Sequence, residues 1–389
     1  MGKRGKKGHQ QQKTSRSKEY YYASEGEQEE RNHVILPSSS DDEEKETKTD
    51  NEEEQEEHEG NVDQSNPNSS DKCPSKFSLY QESVQSPKGD ISYLQKFFLM
   101  YVGGRQPLHL QEDFCGTALL SAEWLRTDSR RTAVGVDMDL ETLEWSLQNN
   151  VDKIGAGYSR ISLFHGDVLR PKEARLVKCG IQDSMEDMKL DDCEEGCMET
   201  DAGTGSQMKD GLVKENCVLP PIDIVCAFNY SCCCLQKRTD LVLYFKHVID
   251  TLSKKGGIFA MDVYGGTSSE HGLRLQRRFP NFTYTWEQEE FDILHRTTRI
   301  SLHYNLRKQQ RKIRHAFSYS WRLWSLPEIK DCMEEAGFKS VHFWIREMPD
   351  TKDMKSTEGF GVGRDVKYEE VSSFKQQDAW NAYIVGVSK

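Results

Sequence analysis

The chain has 389 residues, is 35% hydrophobic and 30% charged, and carries a formal net charge of −12. It contains no apolar run of about 18 residues and no hydrophobic leader core, which argues against a membrane-spanning or secreted protein and for the cytoplasm, with the nucleus left open. The acidity is uneven: residues 1–71 hold a net of −9 and residues 179–219 a net of −8, leaving the remainder at +5.

Residues 1–76 read as a disordered tail, basic and then acidic. Seven Lys and Arg between Met1 and Lys18 suit a nuclear-localisation or nucleic-acid arm, or a solubilising one. From Ser38 to Asp71, Glu, Asp, Ser and Asn crowd out aliphatic side chains, so nothing offsets the entropy of ordering. A single globular domain is expected over 77–389. Its first segment, Phe77–Val102, sets Leu94, Phe97, Phe98 and Tyr101 at helical spacing, and Gly103-Gly104 ends it. A strand over Leu108–Glu112 turns tightly into a helix over Thr117–Arg126. A second strand covers Ala133–Asp137, and Asp139 is placed to cap a helix with apolar Leu140, Leu143 and Leu147. A third strand, Ile161–Phe164, runs into His165-Gly166-Asp167.

The segment 170–220 is acidic, rich in Gly, Met and Ser, and lacks either periodicity, which marks an insertion in a surface loop. The core resumes with a strand over Ile222–Phe228. The next helix carries a stripe of Leu241, Tyr244, Phe245, Val248, Ile249 and Leu252; Gly256-Gly257 stops it, and a strand covers Ile258–Asp262. Strands alternating with helices of this length imply a parallel sheet covered on both faces. Period-two patterns at Phe282, Tyr284, Trp286, at Ile300, Leu302, Tyr304 and at Phe317, Tyr319, Trp321 then imply an antiparallel unit over 279–324. Ser325-Leu-Pro-Glu328 is a capping box opening a helix through Ala336, closed by Gly337. Strands at Val341–Ile345 and Ala382–Val387 complete the sheet.

The stretch Leu110-Gln-Glu-Asp-Phe-Cys-Gly-Thr-Ala-Leu-Leu120, followed by Ala133-Val-Gly-Val-Asp137, carries the most chemistry. An apolar run ends in an acid, a tight turn opens a helix, and a second apolar run ends in another acid. A nucleoside cofactor needs that order: close backbone approach at a glycine, and a carboxylate accepting two vicinal ribose hydroxyls. A dinucleotide fingerprint would put glycines where Phe114, Gly116 and Ala118 stand, so a pyrophosphate and a nicotinamide dehydrogenase are disfavoured. The residues resemble those of the class I S-adenosylmethionine-dependent methyltransferases, whose first motif runs acid-x-Gly-Cys-Gly-Thr-Gly. Glu112 matches the acid and Cys115, Gly116 and Thr117 the centre; Phe114 and Ala118 replace two of the glycines. Lys254-Lys-Gly-Gly-Ile-Phe259 and Glu335-Ala-Gly-Phe338, each before a strand, add to the resemblance.

The resemblance implies an α/β fold: a doubly wound, mostly parallel, seven-stranded Rossmann-like methyltransferase sheet with an appended antiparallel β unit. It implies S-adenosylmethionine as cofactor, held by Glu112, Phe114, Cys115, Gly116, Thr117, Asp137, Met138, Asp167, Val168 and Asn229. In that assignment Glu112 faces the cationic amino group and Gly116 lets the backbone approach the carboxylate end. Asp137 takes the ribose, Asp167 accepts from the adenine amine, and Phe164 and Val168 sandwich the ring. Asn229 and Tyr230 stand beside the departing methyl as the catalytic candidates, and the helix around Tyr80 to Tyr101 forms a lid.

Methyl transfer from a sulfonium needs alignment and desolvation more than a base. A hydroxyl acceptor would want one, and Tyr230, Asp262, His295 and His303 are the candidates. No carboxylate set or Cys/His spacing implies a metal. Ten aromatics from Phe279 to Trp324 accompany seven Arg and Lys from Arg296 to Arg314, fitting either a nucleic-acid face or a sheet with an apolar side and a wet cationic side. The expected function is methyl transfer to a small-molecule amine, carboxylate or hydroxyl. The alternatives are an RNA or protein methyltransferase and a non-catalytic scaffold of the same fold. No membrane association is expected, and the sequence leaves the oligomeric state open.

Overall fold

The computed structural model describes residues 73–178, 219–351 and 367–389, so the expected tail and most of the expected insertion lie outside the described residues. Within them, proline divides the first apolar stretch. Where one helical segment was expected there are two, α1 (Lys76–Val84) and α2 (Pro87–Tyr101). Pro87 lacks an N–H and crowds the preceding turn, so it ends one helix and starts the next. The stripe of Ile91, Leu94, Phe97 and Phe98 on α2 is buried.

The central sheet is assembled from β1 (His109–Asp113), β2 (Thr132–Asp137), β3 (Ile161–His165), β4 (Arg175–Lys178), β5 (Ile224–Ala227), β6 (Ile258–Gly265), β11 (Ser340–Glu347), β12 (Glu369–Glu370) and β13 (Trp380–Val387). The helices α3 (Leu119–Thr127), α4 (Leu140–Ser146), α5 (Arg238–Thr251) and α6 (Leu326–Ala336) connect them. The strand order is β12-β11-β13-β6-β5-β1-β2-β3-β4. β3, β2, β1, β5 and β6 run parallel, while β13 and β11 are antiparallel additions. The seven-stranded sheet expected from the resemblance is present, extended at its edges by β4 and β12. Successive residues of β5 belong to opposite hydrophobic clusters, Ile224 and Cys226 to one and Val225 and Ala227 to the other, as a sheet covered on both faces requires. The strand order reverses between β1 and β5, which opens a crevice at their carboxyl ends.

A second sheet has the order β10-β9-β8-β7, from β7 (Leu273–Arg278), β8 (Phe282–Gln288), β9 (Thr297–Leu306) and β10 (Arg311–Arg322). It starts earlier than the 279–324 unit expected, because β7, with only Leu273 and Leu275 apolar, carries a weak period-two signal. The expected insertion likewise begins too early at 170: Arg175–Lys178 forms β4, an antiparallel edge strand on β3 too short and polar to register as one. The capping box at Ser325 and Glu328 is formed in both directions, and Gly337 closes α6 in the left-handed region with φ 113°. Among the described residues no helix is long and apolar enough to cross a membrane.

Candidate functional site

The chain leaves β1 through a turn with an unusual backbone. Phe114, Gly116 and Ala118 have φ of 56°, 50° and 50°, the left-handed region that side chains with a Cβ disfavour. These are the three positions where the family motif has glycine. Two of the three carry a side chain and hold the left-handed backbone nonetheless. Strain of about 1 kcal/mol or more per residue persists only when the surroundings over-determine it, and here they do. Asp137, at the end of the adjacent strand β2, accepts the Gly116 N–H at 2.6 Å with Oδ2 and the Asp139 N–H at 2.9 Å with Oδ1. Cys115 N–H donates to the Val136 carbonyl at 3.0 Å, and the Phe114 ring meets Tyr244 edge-on at 5.8 Å. Phe114 therefore packs into the core beside α5. Thr117 is buried; its hydroxyl donates to Gln85 Oε1 at 3.0 Å and its carbonyl accepts from Asn150 at 2.6 Å, which draws the junction of α1 and α2 over the turn.

Glu112, one strand-step before the turn, is buried and accepts both the N–H and the hydroxyl of Ser121 in the first turn of α3, at 2.9 and 2.6 Å. Both bonds fall on Oε2. Burial pushes its pKa up to about 8, against the pull of the two Ser121 bonds. Burial also raises Asp137, and it lifts Asp90 on α2 to about 6 although the Tyr383 hydroxyl donates to it at 2.5 Å. Asp90 and Asp137 each raise Glu112, so these acids share one negative field.

Across the crevice the turn after β5 repeats the device. Asn229 and Tyr230 have φ of 59° and 61°, and Asp262 on the neighbouring strand β6 accepts both of their N–H groups, at 3.2 and 2.8 Å. Burial lifts Asp262 to about 7, opposed by those bonds. Its part as a clamp was not read from the sequence, which offered it only as a base. Beyond Tyr230 lies a cavity of about 240 Å³ between the end of β6, the start of β13 and the second sheet, walled by Tyr230, Tyr264, Tyr284, Trp286, Trp380 and Asn381 among others. Ser83 and Val84 of α1 close one side of it. Of the sequence-predicted site residues, Tyr230 is the one that lines this cavity. The alternating aromatics of β8 and β10 carried a signal for it, but their period does not say which face looks inward.

Doubly wound sheet, switch-point crevice and acid-clamped glycine-type turn now stand together. The fold is a doubly wound, mostly parallel α/β sheet of Rossmann-like type. No family model and no curated protein matches the sequence. Among solved structures it is similar to a S-adenosylmethionine-dependent methyltransferase from Clostridium acetobutylicum, with 14% identity over 80% of this chain and 97% of that one and a TM-score of 0.46. An amino pentose methyltransferase from Micromonospora echinaspora, solved with S-adenosylmethionine bound, shares 12% identity over 80% and 96% of the two chains with a TM-score of 0.46. A sugar N-methyltransferase from Streptoalloteichus shares 12% identity over 85% and 99%, with a TM-score of 0.44.

The remaining predicted residues divide. Met138 is 64% exposed beside Asp137, its carbonyl held by the His165 ring at 2.9 Å. Val168 is buried and Phe164 packs in the same cluster. Asp167 is engaged within its own turn, accepting from Leu169 N–H at 2.9 Å and from the Arg170 guanidinium at 3.3 Å. Two of the candidate bases stand away from the crevice: His295 is exposed and pairs with Asp292 at 2.7 Å. His303 projects from the face of β9 opposite Leu302 and Tyr304, 3.4 Å from Glu287. The aromatics of the second sheet are mostly buried or packed against the clusters, while Arg296 and Arg299 pair with Glu270 and Glu289. The arrangement is that of a sheet with an apolar inner side and a wet cationic outer side.

Proposed function

We propose that the protein is a S-adenosylmethionine-dependent methyltransferase whose acceptor is a small molecule. The observation that carries this reading is the Asp137 carboxylate closing on the Gly116 N–H at 2.6 Å at the switch point of the sheet. A carboxylate offers about four lone-pair sites, so Asp137 retains acceptor capacity for ribose hydroxyls while it clamps the turn. The turn fits a ligand's approach: a Cβ built on Gly116 would meet nothing nearer than Thr142 at 4.0 Å. Glu112, with bonds on one oxygen only, keeps its second for an ammonium group, whose approach would draw off the proton that burial holds on it, and the carboxylates of Asp90 and Asp137 complement a ligand bearing both a sulfonium and an ammonium. Cys115, Thr117, Met138, Asp167 and Val168 would complete the cofactor's surroundings. The cofactor supplies an electrophilic methyl on sulfur. The chain's residues supply position: Asn229 and Tyr230, whose N–H groups Asp262 holds, would stand between the cofactor and the cavity that Tyr230 lines.

The cavity's volume and inward-turned aromatics support a small acceptor over a nucleic acid or protein chain. The cytoplasm is the proposed location, with the basic Met1–Lys18 segment as a candidate nuclear address. Isothermal titration tests the cofactor: S-adenosylmethionine binds, and Asp137→Ala weakens binding by about 100-fold or more, since charge-assisted bonds contribute roughly 1.5–3 kcal/mol each. Absence of binding at millimolar cofactor would overturn the proposal. Tritiated-methyl transfer onto fractionated cell extract tests the acceptor: label in the small-molecule fraction supports the reading, and label confined to RNA or protein replaces it.

A further inference from the structure

Four rings converge on the cavity beside Tyr230: Tyr230, Tyr264, Tyr284 and Trp286, each partly exposed. Trp286 stands at 87° to Tyr230 and 88° to Tyr264, with centroids 6.4 and 5.8 Å apart. Tyr230 and Tyr264 are 5.0 Å apart at 55°. Rings at such steep angles make the walls of a box, not a stack. Two of the phenols are already engaged: Tyr230 donates to Asn381 Oδ1 at 3.3 Å and Tyr264 to Gln288 Oε1 at 2.9 Å. Gln288 in turn donates to the carbonyls of Ser269 and His271. Those bonds fix the two phenol rings, and Trp321, outside the lining, backs Tyr230, Tyr264 and Trp286 at 5.8, 6.1 and 5.6 Å. The lining serines donate to backbone carbonyls, Ser83 to Leu79, Ser268 to Asp378 and Ser269 to Gly266. Arg277, the charged side chain in the lining, lies 4.7 Å over the ring of Phe279. Beneath the box sits Asp262, bonded to the Tyr230 N–H.

A primary ammonium would want several acceptors converging on it, and two amide oxygens of this lining, Asn381 Oδ1 and Gln288 Oε1, already accept a phenol each. An alkylated ammonium spreads its charge over methyl groups and is held by ring faces. We propose that the cavity binds a small organic ammonium whose nitrogen carries alkyl groups, caged by Tyr230, Tyr264 and Trp286. Its role as acceptor rests on the methyltransferase reading above; binding of the cation does not. In the transfer, a neutral tertiary amine gives its lone pair to the sulfonium methyl. The carbon–sulfur bond breaks with its electrons left on sulfur, a carbon–nitrogen bond forms, no proton moves, and the caged product is a quaternary ammonium.

The test compares choline with its neutral isostere 3,3-dimethylbutan-1-ol on the full-length protein, by calorimetry and tryptophan fluorescence, with and without S-adenosylmethionine. Choline is expected to bind about tenfold tighter than the isostere, the range of desolvated cation–π contacts. Trp286→Phe retains most of that preference and Trp286→Leu loses it. Equal affinity for the two probes, or binding of neither, overturns the proposal, and the comparison on the unaltered protein is decisive if the leucine variant fails to fold. Choline binding with no S-adenosylmethionine binding would keep the cage and sink the methyltransferase reading.

Discussion

After β1 the backbone turns left-handed at Phe114, Gly116 and Ala118; after β5 it does so at Asn229 and Tyr230. In both places an aspartate on the neighbouring parallel strand accepts the N–H groups of the turn. The surroundings differ. Asp137 ends its strand beside the exposed Met138 and spends one oxygen on Gly116 and the other on its own loop. Asp262 spends both oxygens on the turn opposite it, next to Tyr230, which lines the aromatic cavity. A single device thus fixes the turns on the two sides of the crevice.

Titration sharpens that contrast most. Asp262 at about 7 and Glu112 at about 8 are raised above their ordinary values, so the native state holds protons that the unfolded chain releases. The stability they contribute is fully present below the unfolded pKa near about 4 and is lost as pH rises through about 7 to 8, a fall on the order of several kcal/mol. Denaturant unfolding across that range should show the decline, and Glu112→Gln should flatten its upper part; a flat profile for the parent protein would mean these carboxyls are not sealed from water. Next in size is Asp262→Ala, which leaves two part-buried N–H groups without an acceptor. At about pH 5 it should cost roughly 3 kcal/mol of unfolding free energy.

Asp137→Ala should cost stability far less, about 1 kcal/mol, because the freed N–H groups can turn to water. Its cofactor affinity should suffer more than that of Asp262→Ala. Equal losses of stability from the two variants would erase the distinction between the clamps. The smallest expected effect is a gain: Ala118→Gly relieves a left-handed alanine and should stabilise by roughly 0.5–1 kcal/mol, less whatever its buried methyl contributes. A loss on the same measurement would show that packing of that methyl outweighs the backbone strain.

Much of the parallel half was legible in the chain. Acid-ended apolar runs put Glu112, Asp137 and Asp167 at or just beyond strand ends, the Leu241-to-Leu252 stripe is buried on α5, and the capping box at Ser325 forms as its spacing implies. The second sheet was legible as antiparallel but not as a cavity wall, because Tyr284 and Trp286 sit two apart on one face whichever side that face covers. The short strands β4 and β7 escaped, being four and six residues long with few apolar positions. Asp262 was visible as a candidate base and not as a clamp.

What the sequence by itself determined is therefore local: helices, strands, caps and stops follow from interactions within a few residues, and periodicity records them faithfully. Only the tertiary structure decided which way the aromatic face turns and which N–H each carboxylate accepts, since Gly116 and Asp137 are 21 residues apart and Tyr230 and Asp262 are 32. The same long-range bonds explain why Phe114 and Ala118 hold a glycine's conformation. An acid contributed by another strand fixes the turn, and no local propensity predicts it.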